Sequence, residues 1–539
     1  MKRHLLLTLV SLVALCGRLQ GAVKPNPLFS DGAVLQQGTP IPVWGTADKG
    51  EKVTVRLGNE EVATTTARDG KWKLELPAQK AGGPFVMTIA GENTLTINNV
   101  LVGEVWVGSG QSNMHFSLGG AANASAEIPA ANYPNLRFFA VGGKNAAVPQ
   151  SEAAGRWVEC SPATAGGFSA VGYFFGRDLH KARSVPVGMI VSSWGGTPAE
   201  AWTSLEGLKK DKQLAAYADA AGRLASDYPN ASRLYPQRFA KYWEALAKWN
   251  DRHGKAYDEK LKAWTAEVEK AKSEGKPAPP QPVPASYPPL PPASPDAAEP
   301  MPKTPAVLFN GMIAPLVPYA IKGVIWYQGE SNSRKAIEYR TLFPSLIADW
   351  REKWKRGDFP FLFVQIAPYD GTAPEIREAQ LLTLAKSPNT AMAVTTDVGD
   401  AKDIHPKQKE PVGARLALAA RALAYGEKIV SSGPLFESVK IEGGRAIVSF
   451  QDVGGGLAAK DGALKGFVIA GADGKFVPAK AEIANDKVVV SSPAVPVPAA
   501  VRYGWDNVPD VNLYNKEGLP ASPFRSDVSN APQEMKEGP

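Results

Sequence analysis

Gly103-Glu104-Val105-Trp106-Val107-Gly108-Ser109-Gly110-Gln111-Ser112-Asn113-Met114 is the stretch from which the chain is best read. Glu104–Val107 is a short strand signal, and glycines at 108 and 110 follow it directly. Glycine adopts backbone angles that other residues avoid, so a tight turn here exposes a side chain at the strand end. Ser112 is that side chain. Downstream, Leu136–Val141, Val187–Ser193, Gly323–Gln328, Phe361–Ala367 and Met392–Thr396 also read as apolar strands. Val171–Lys181, Tyr339–Lys353 and Pro411–Tyr425 read as helices among them. This alternation predicts an α/β domain, a parallel sheet with helices on both faces. Ligands of such sheets sit outside the carboxyl ends of the strands.

Working outward, residues 101–430 carry this α/β pattern. Residues 23–100 instead show short alternating runs, such as Val53–Leu57 and Trp72–Leu76, separated by Gly, Asn and Asp, which predicts a small β-sandwich. Residues 431–539 turn β again, through Ala446–Phe450, Gly466–Ile469 and Lys487–Val490. The sequence does not decide whether this region stands alone or completes the first. Residues 203–305 interrupt the α/β pattern: Leu208–Lys276 is helical in composition, and 277–305 holds 13 prolines in 29 positions. The proline tract is expected to be extended, a spacer without a core of its own.

The chain has 539 residues, a length of about three domains, and a net charge of +7. Residues 1–22 carry +3 of that charge and read as a secretory signal: Lys2-Arg3-His4, the apolar run Leu5–Leu15, then Gly21 and Ala22. A secreted or periplasmic location is expected. Cys16 fits a lipidation site poorly because Leu15 precedes it, and its loss with the signal leaves Cys160 without a disulfide partner. Cys160 is therefore expected to be a small buried residue. No basic block marks a nucleic-acid surface, and no later apolar run is long enough to span a membrane. The oligomeric state is not encoded in any pattern seen here.

A nucleophilic hydroxyl needs a base poised near neutral pH, usually histidine. Of five histidines, His4 lies in the signal, His253 in the insertion and His180 on a helix beside Lys181. His115 and His405 remain. His405 sits in Asp400-Ala401-Lys402-Asp403-Ile404-His405-Pro406, after the last strand and before a helix. Two further clusters occupy strand ends. Ser193-Trp194-Gly195-Gly196-Thr197 offers backbone N–H groups to a developing oxyanion, and Tyr327-Gln328-Gly329-Glu330-Ser331-Asn332 offers an amide and a carboxylate. Taken singly, each is an ordinary turn. On four strand ends at one edge, they supply the parts of an acyl-transfer site. No zinc-ligand spacing occurs.

In combination these blocks resemble the sialate O-acetylesterase-like carbohydrate esterases of the SGNH hydrolase superfamily. The likeness rests on Gly103–Trp106 with Ser109–Met114, on Trp194–Pro198, on Trp326–Asn332 and on Asp403–Pro406. It implies a flavodoxin-like α/β fold, Ser112 as nucleophile and His405 as base. It also implies an oxyanion hole from the Ser112 N–H, Gly195 or Gly196, and Gln328, without cofactor or metal. For the acid that orients His405, Asp403 is preferred, then Glu330, then Asp400. Asn113, Trp194 and Asn332 are expected at the substrate, and Trp194, Trp202, Trp326 and Tyr327 are candidates for stacking on sugar rings. The expected substrate is an O-acetylated carbohydrate, cleaved through an acetyl-serine. Acetylated plant polysaccharide, such as xylan or xyloglucan, is the alternative substrate. A non-catalytic carbohydrate-binding protein is the alternative of another class.

Overall fold

The computed structural model describes residues 23–292, 295 and 302–527, so the signal-like segment 1–22 and Cys16 lie outside the described residues. The central sheet is built from β1 (Thr94–Gly110), β2 (Tyr133–Ala140), β3 (Trp157–Cys160), β4 (Val187–Ser193), β5 (Gly323–Tyr327), β6 (Phe361–Val364) and β7 (Thr390–Ala393). They lie side by side in the order β3-β2-β4-β1-β5-β6-β7. All neighbours are parallel except β3, which pairs antiparallel with β2 at the edge. The sheet is therefore mixed, a correction to the wholly parallel expectation: after β2 the chain doubles back and closes the open edge. Five of the parallel strands, β1, β4, β5, β6 and β7, follow the flavodoxin-like order 2-1-3-4-5, and β2 and β3 extend the sheet beyond β4. The β4–β5 connection, which carries the insertion, crosses over β1 to reach the other side.

β4, β5 and the second half of β1 are buried along their length, as strands covered on both faces must be. On one face lie α1 (Ala170–Arg183) and α4 (Glu410–Tyr425), in close contact where Gly413 meets Phe174. Trp106 packs edge-on to Phe175 there and donates to the Tyr425 hydroxyl at 3.2 Å. On the other face lie α2 (Ala336–Trp354) and α3 (Pro374–Lys386). Trp326 of β5 points to that side, stacking on Phe343 and meeting Trp350 edge-on.

β1 also reaches into the N-terminal β region, where its first half pairs antiparallel with Gly82–Ala90. Glu104 on this strand accepts from Gln36 at 3.0 Å and Gln37 at 2.6 Å, and the two regions share one apolar core. The C-terminal β region has a separate core that includes Val448, Ile469, Val490, Tyr503 and Phe524. It docks on α3 and β6 through Arg525–Glu378 at 2.7 Å and Gln365–Ser522 at 2.9 Å. Cys160 is buried and unpaired, and burial pushes its thiol up to about 12.

The insertion is a long helical arm, Ala215–Trp249 continuing through Asn250–Gly254 into Lys255–Ser273. Only its base is buried in the body, at Ala218 and Ala221. The proline tract folds back along this arm. Trp264, Tyr257 and Trp249 donate to the carbonyls of Pro279, Pro282 and Ser286 at 2.9, 3.2 and 2.9 Å. Proline lacks an N–H but keeps its carbonyl, so these donors suit the tract. Among the described residues, no helix is long and apolar enough to cross a membrane.

Candidate active site

Register brings three strand ends together. Gly110 of β1 lies opposite Ser193 of β4 on one side and Tyr327 of β5 on the other. The residues that follow, Gln111, Trp194 and Gln328, therefore leave the sheet from adjacent points. Gly110 has φ +131°, and a Cβ there would stand 2.1 Å from the Tyr327 carbonyl oxygen, so only glycine fits. The Gln111 N–H then donates to that carbonyl at 3.0 Å, and Ser112 opens a short helical turn, Ser112–His115. Ser169, the N-cap of α1, fixes this turn by donating to the Met114 carbonyl at 2.6 Å. From the β4 side, Gly195 faces Ser112, its missing Cβ only 3.4 Å from that of the serine. Gly196, at φ +71°, has open space where a Cβ would be.

His405 arrives on the loop between β7 and α4, and its Nε2 lies 2.8 Å from Ser112 Oγ. Asp403 Oδ1 accepts the His405 backbone N–H at 2.9 Å and lies 3.7 Å from Nδ1. Asp400 Oδ1 instead accepts the backbone N–H groups of Lys402 and Asp403, at 2.8 and 3.2 Å, which shapes the loop. Both the imidazole and the Asp403 carboxylate are partly open to solvent, at 37% and 50% exposure.

Glu330 occupies a different place. It is buried, and its Oε1 accepts from Asn113 Nδ2 at 2.6 Å; Oε2 is buried without a hydrogen-bond partner. Asn113 Nδ2 also donates to the Ile404 carbonyl at 2.9 Å, and Asn113 Oδ1 accepts from Lys409 Nζ. One amide thus joins the serine turn, the histidine loop and α4's approach. The Lys409 ammonium lies over the Phe116 and Tyr327 rings, 4.9 and 5.4 Å from their centroids. Burial pushes the Glu330 carboxyl above its usual range and pulls Lys409 down to about 7; attraction to Glu330 and Asp403 opposes the latter shift.

Gln328 is also fully buried. Its Nε2 donates to Asn332 Oδ1 at 2.6 Å and to the Thr197 carbonyl at 3.3 Å, while Oε1 accepts from Tyr339 at 3.0 Å. Asn332 in turn accepts from Ala199 N at 2.9 Å and donates to Glu200 at 2.8 Å. The structure thus engages Asn113, Gln328 and Asn332 in the frame rather than leaving their amides free to face a ligand. Trp202, Trp326 and Tyr327 are buried too, so of the aromatic candidates only Trp194 is partly exposed.

Ser112 and His405 line a cavity of about 800 Å³. Phe116, Phe138, Phe168, Val158 and Val191 give it an apolar wall, and His115, Ser193 and Arg156 its polar positions. His115 Nδ1 lies 3.4 Å from Ser193 Oγ. Nothing in the sequence singles out Lys409 or Arg156. Lys409 follows Lys402 and Lys407 in a charged run that looks solvated, and Arg156 lies in a loop without a motif.

A family model described as carbohydrate esterase, sialic acid-specific acetylesterase, matches residues 308–422. That span includes Gln328, Glu330, Asp403 and His405 but not Ser112. Sialate O-acetylesterase of Rattus norvegicus is 30% identical over 545 residues, covering 90% of this chain and 91% of that protein. The protein of the same name from Homo sapiens is 32% identical over 443 residues, covering 74% and 70%. A crystal structure of a carbohydrate acetylesterase from Xanthomonas citri superposes with a TM-score of 0.76 at 35% identity, over 94% of this chain and 100% of that one. With identity of this extent along nearly its whole length, the chain belongs to the sialate O-acetylesterase family of carbohydrate esterases and is a carboxylic ester hydrolase.

Proposed function

We propose that this chain removes O-acetyl groups from carbohydrate through a covalent acetyl-serine on Ser112. The observation that carries the reading is the 2.8 Å contact between His405 Nε2 and Ser112 Oγ at the wall of a ligand-sized cavity. His405 takes the Ser112 proton as Oγ attacks the acetyl carbonyl, then returns it to the departing sugar hydroxyl. A water molecule, activated by the same imidazole, releases acetate and restores the serine. Asp403, beside Nδ1, holds the proton-bearing tautomer and stabilises the imidazolium. The Ser112 N–H begins a helical turn and has no partner within it. Together with the Gly195 backbone against Ser112, it provides the donors for the tetrahedral oxyanion. Gln328 supports this hole by holding Thr197 and Asn332 in place.

The relatives' name points to acetylated sialate as the substrate, and residues 1–22 have the pattern of an export signal. The test is acetate release from O-acetylated sialic acid and from acetylated xylan, by wild type and Ser112→Ala. Release from sialate, lost in the variant, is the expected result. Release from xylan alone would move the substrate to plant polysaccharide, and release from neither would remove the reading.

A further inference from the structure

The cavity beside Ser112 holds a cation that the reaction described above does not use. Arg156 lines the same cavity as Ser112 and His405, and no carboxylate does. Its nearest acids in sequence are committed elsewhere: Glu152 pairs with Lys24 at 3.0 Å, and Glu159 with Arg137 at 3.3 Å and with Asn99 at 2.7 Å. Among the described residues, Arg156 forms no ion pair or hydrogen bond. Its backbone is nevertheless fixed. The Gly142 N–H donates to the Ala154 carbonyl at 2.7 Å, and a Cβ on Gly155 would stand 2.5 Å from the Phe139 ring. Trp157, the next residue, is paired with Phe139 in the sheet edge. Arg156 stands just before the edge strand β3, solvent-exposed where it lines the reaction cavity, and a cation without a protein partner there is free to pair with an anionic ligand. The guanidinium fork matches a carboxylate in a way that no neutral sugar can use.

We propose that Arg156 is a specificity-determining residue, which pairs with the carboxylate of an acidic O-acetylated sugar while the acetyl group lies at Ser112. The inference rests on the esterase reading above and deepens it by stating what the cavity recognises besides the ester. The stacked rings of Phe138 and Phe168, 4.1 Å apart, give the same cavity an apolar floor for the rest of the sugar. A neutral acetylated polysaccharide would leave Arg156 unpaired.

The experiment compares kcat/KM for O-acetylated sialic acid with that for its methyl ester, in which the carboxylate is blocked. Wild type should prefer the acid by about 2- to 10-fold, the range expected of a charged pair at a solvent-open site. Arg156→Gln should bring that ratio towards one, mainly through KM for the acid, and Arg156→Lys should restore part of it. A wild-type ratio near one, or a ratio unchanged in Arg156→Gln, overturns the proposal while leaving the esterase intact. Loss of hydrolysis of both compounds by wild type would instead remove the esterase reading, and this proposal with it.

Discussion

Two groups of polar residues meet at Ser112, and they are built in opposite ways. On the cavity side, Ser112 and His405 are partly open to solvent, Nε2 lies on the serine hydroxyl, and the half-exposed Asp403 stands beside Nδ1 while holding the His405 backbone N–H. Behind them lie two buried sets, Asn113 with Glu330 and Lys409, and Gln328 with Asn332, each held by amide or charged hydrogen bonds. The exposed group can move protons and admit water. The buried group has no access to substrate, but it joins the serine turn, the glycine turn after β4 and the histidine loop. The contrast separates two acids that look equivalent in the sequence: Asp403 faces the imidazole, and Glu330 faces Asn113.

The largest expected effect breaks the exposed group. His405→Ala should lower kcat by roughly 10⁴-fold with little loss of stability, because it removes the base from an already assembled site. Asp403→Asn should cost less, about 10²-fold in kcat, since its carboxylate is half exposed and 3.7 Å from Nδ1. Glu330→Gln should lower kcat by no more than about tenfold, because a glutamine oxygen can still accept from Asn113. A larger kinetic loss in Glu330→Gln than in Asp403→Asn would reverse the assignment of the two acids.

The smallest effect is on stability and its pH dependence. The folded state holds Lys409 near 7, below the ordinary lysine value, so it binds this proton less tightly than the unfolded chain does. Wild type should therefore gain stability relative to Lys409→Met as pH rises from about 7 towards the ordinary lysine range. Below that window the difference should be flat. Denaturant unfolding at a series of pH values measures it, and a stability difference that does not change with pH would show that Lys409 is not desolvated.

Much of the reacting face was legible because each part is a local pattern. Gly108 and Gly110 announce the serine turn, and Asp403-Ile404-His405 places base and acid two residues apart. The strands β4 and β5 were legible because fully buried strands are continuous apolar runs. The frame was not legible, since an Asn or Gln amide reads the same whether it faces a ligand or a neighbour. The sequence places Gln328 in the oxyanion hole and Asn113 and Asn332 at the substrate, whereas long-range contacts with Thr197, Ile404 and Glu200 give their amides other partners. The placing of β2 beyond β4 and the edge strand β3 depend on connections that leave no periodic signal. The same holds for the proline tract: Trp249, Tyr257 and Trp264 recur at seven- and eight-residue steps on the arm, but only the fold shows what they hold.

The central step of the proposed reaction is acetylation of Ser112. Rapid acid quench of wild-type enzyme during turnover of an activated acetyl ester, followed by peptide mass spectrometry, tests this directly. One acetyl group on the peptide containing Ser112, absent from Ser112→Ala, is the predicted result. Full turnover by Ser112→Ala, or a trapped acetyl group on another residue in wild type, would contradict it.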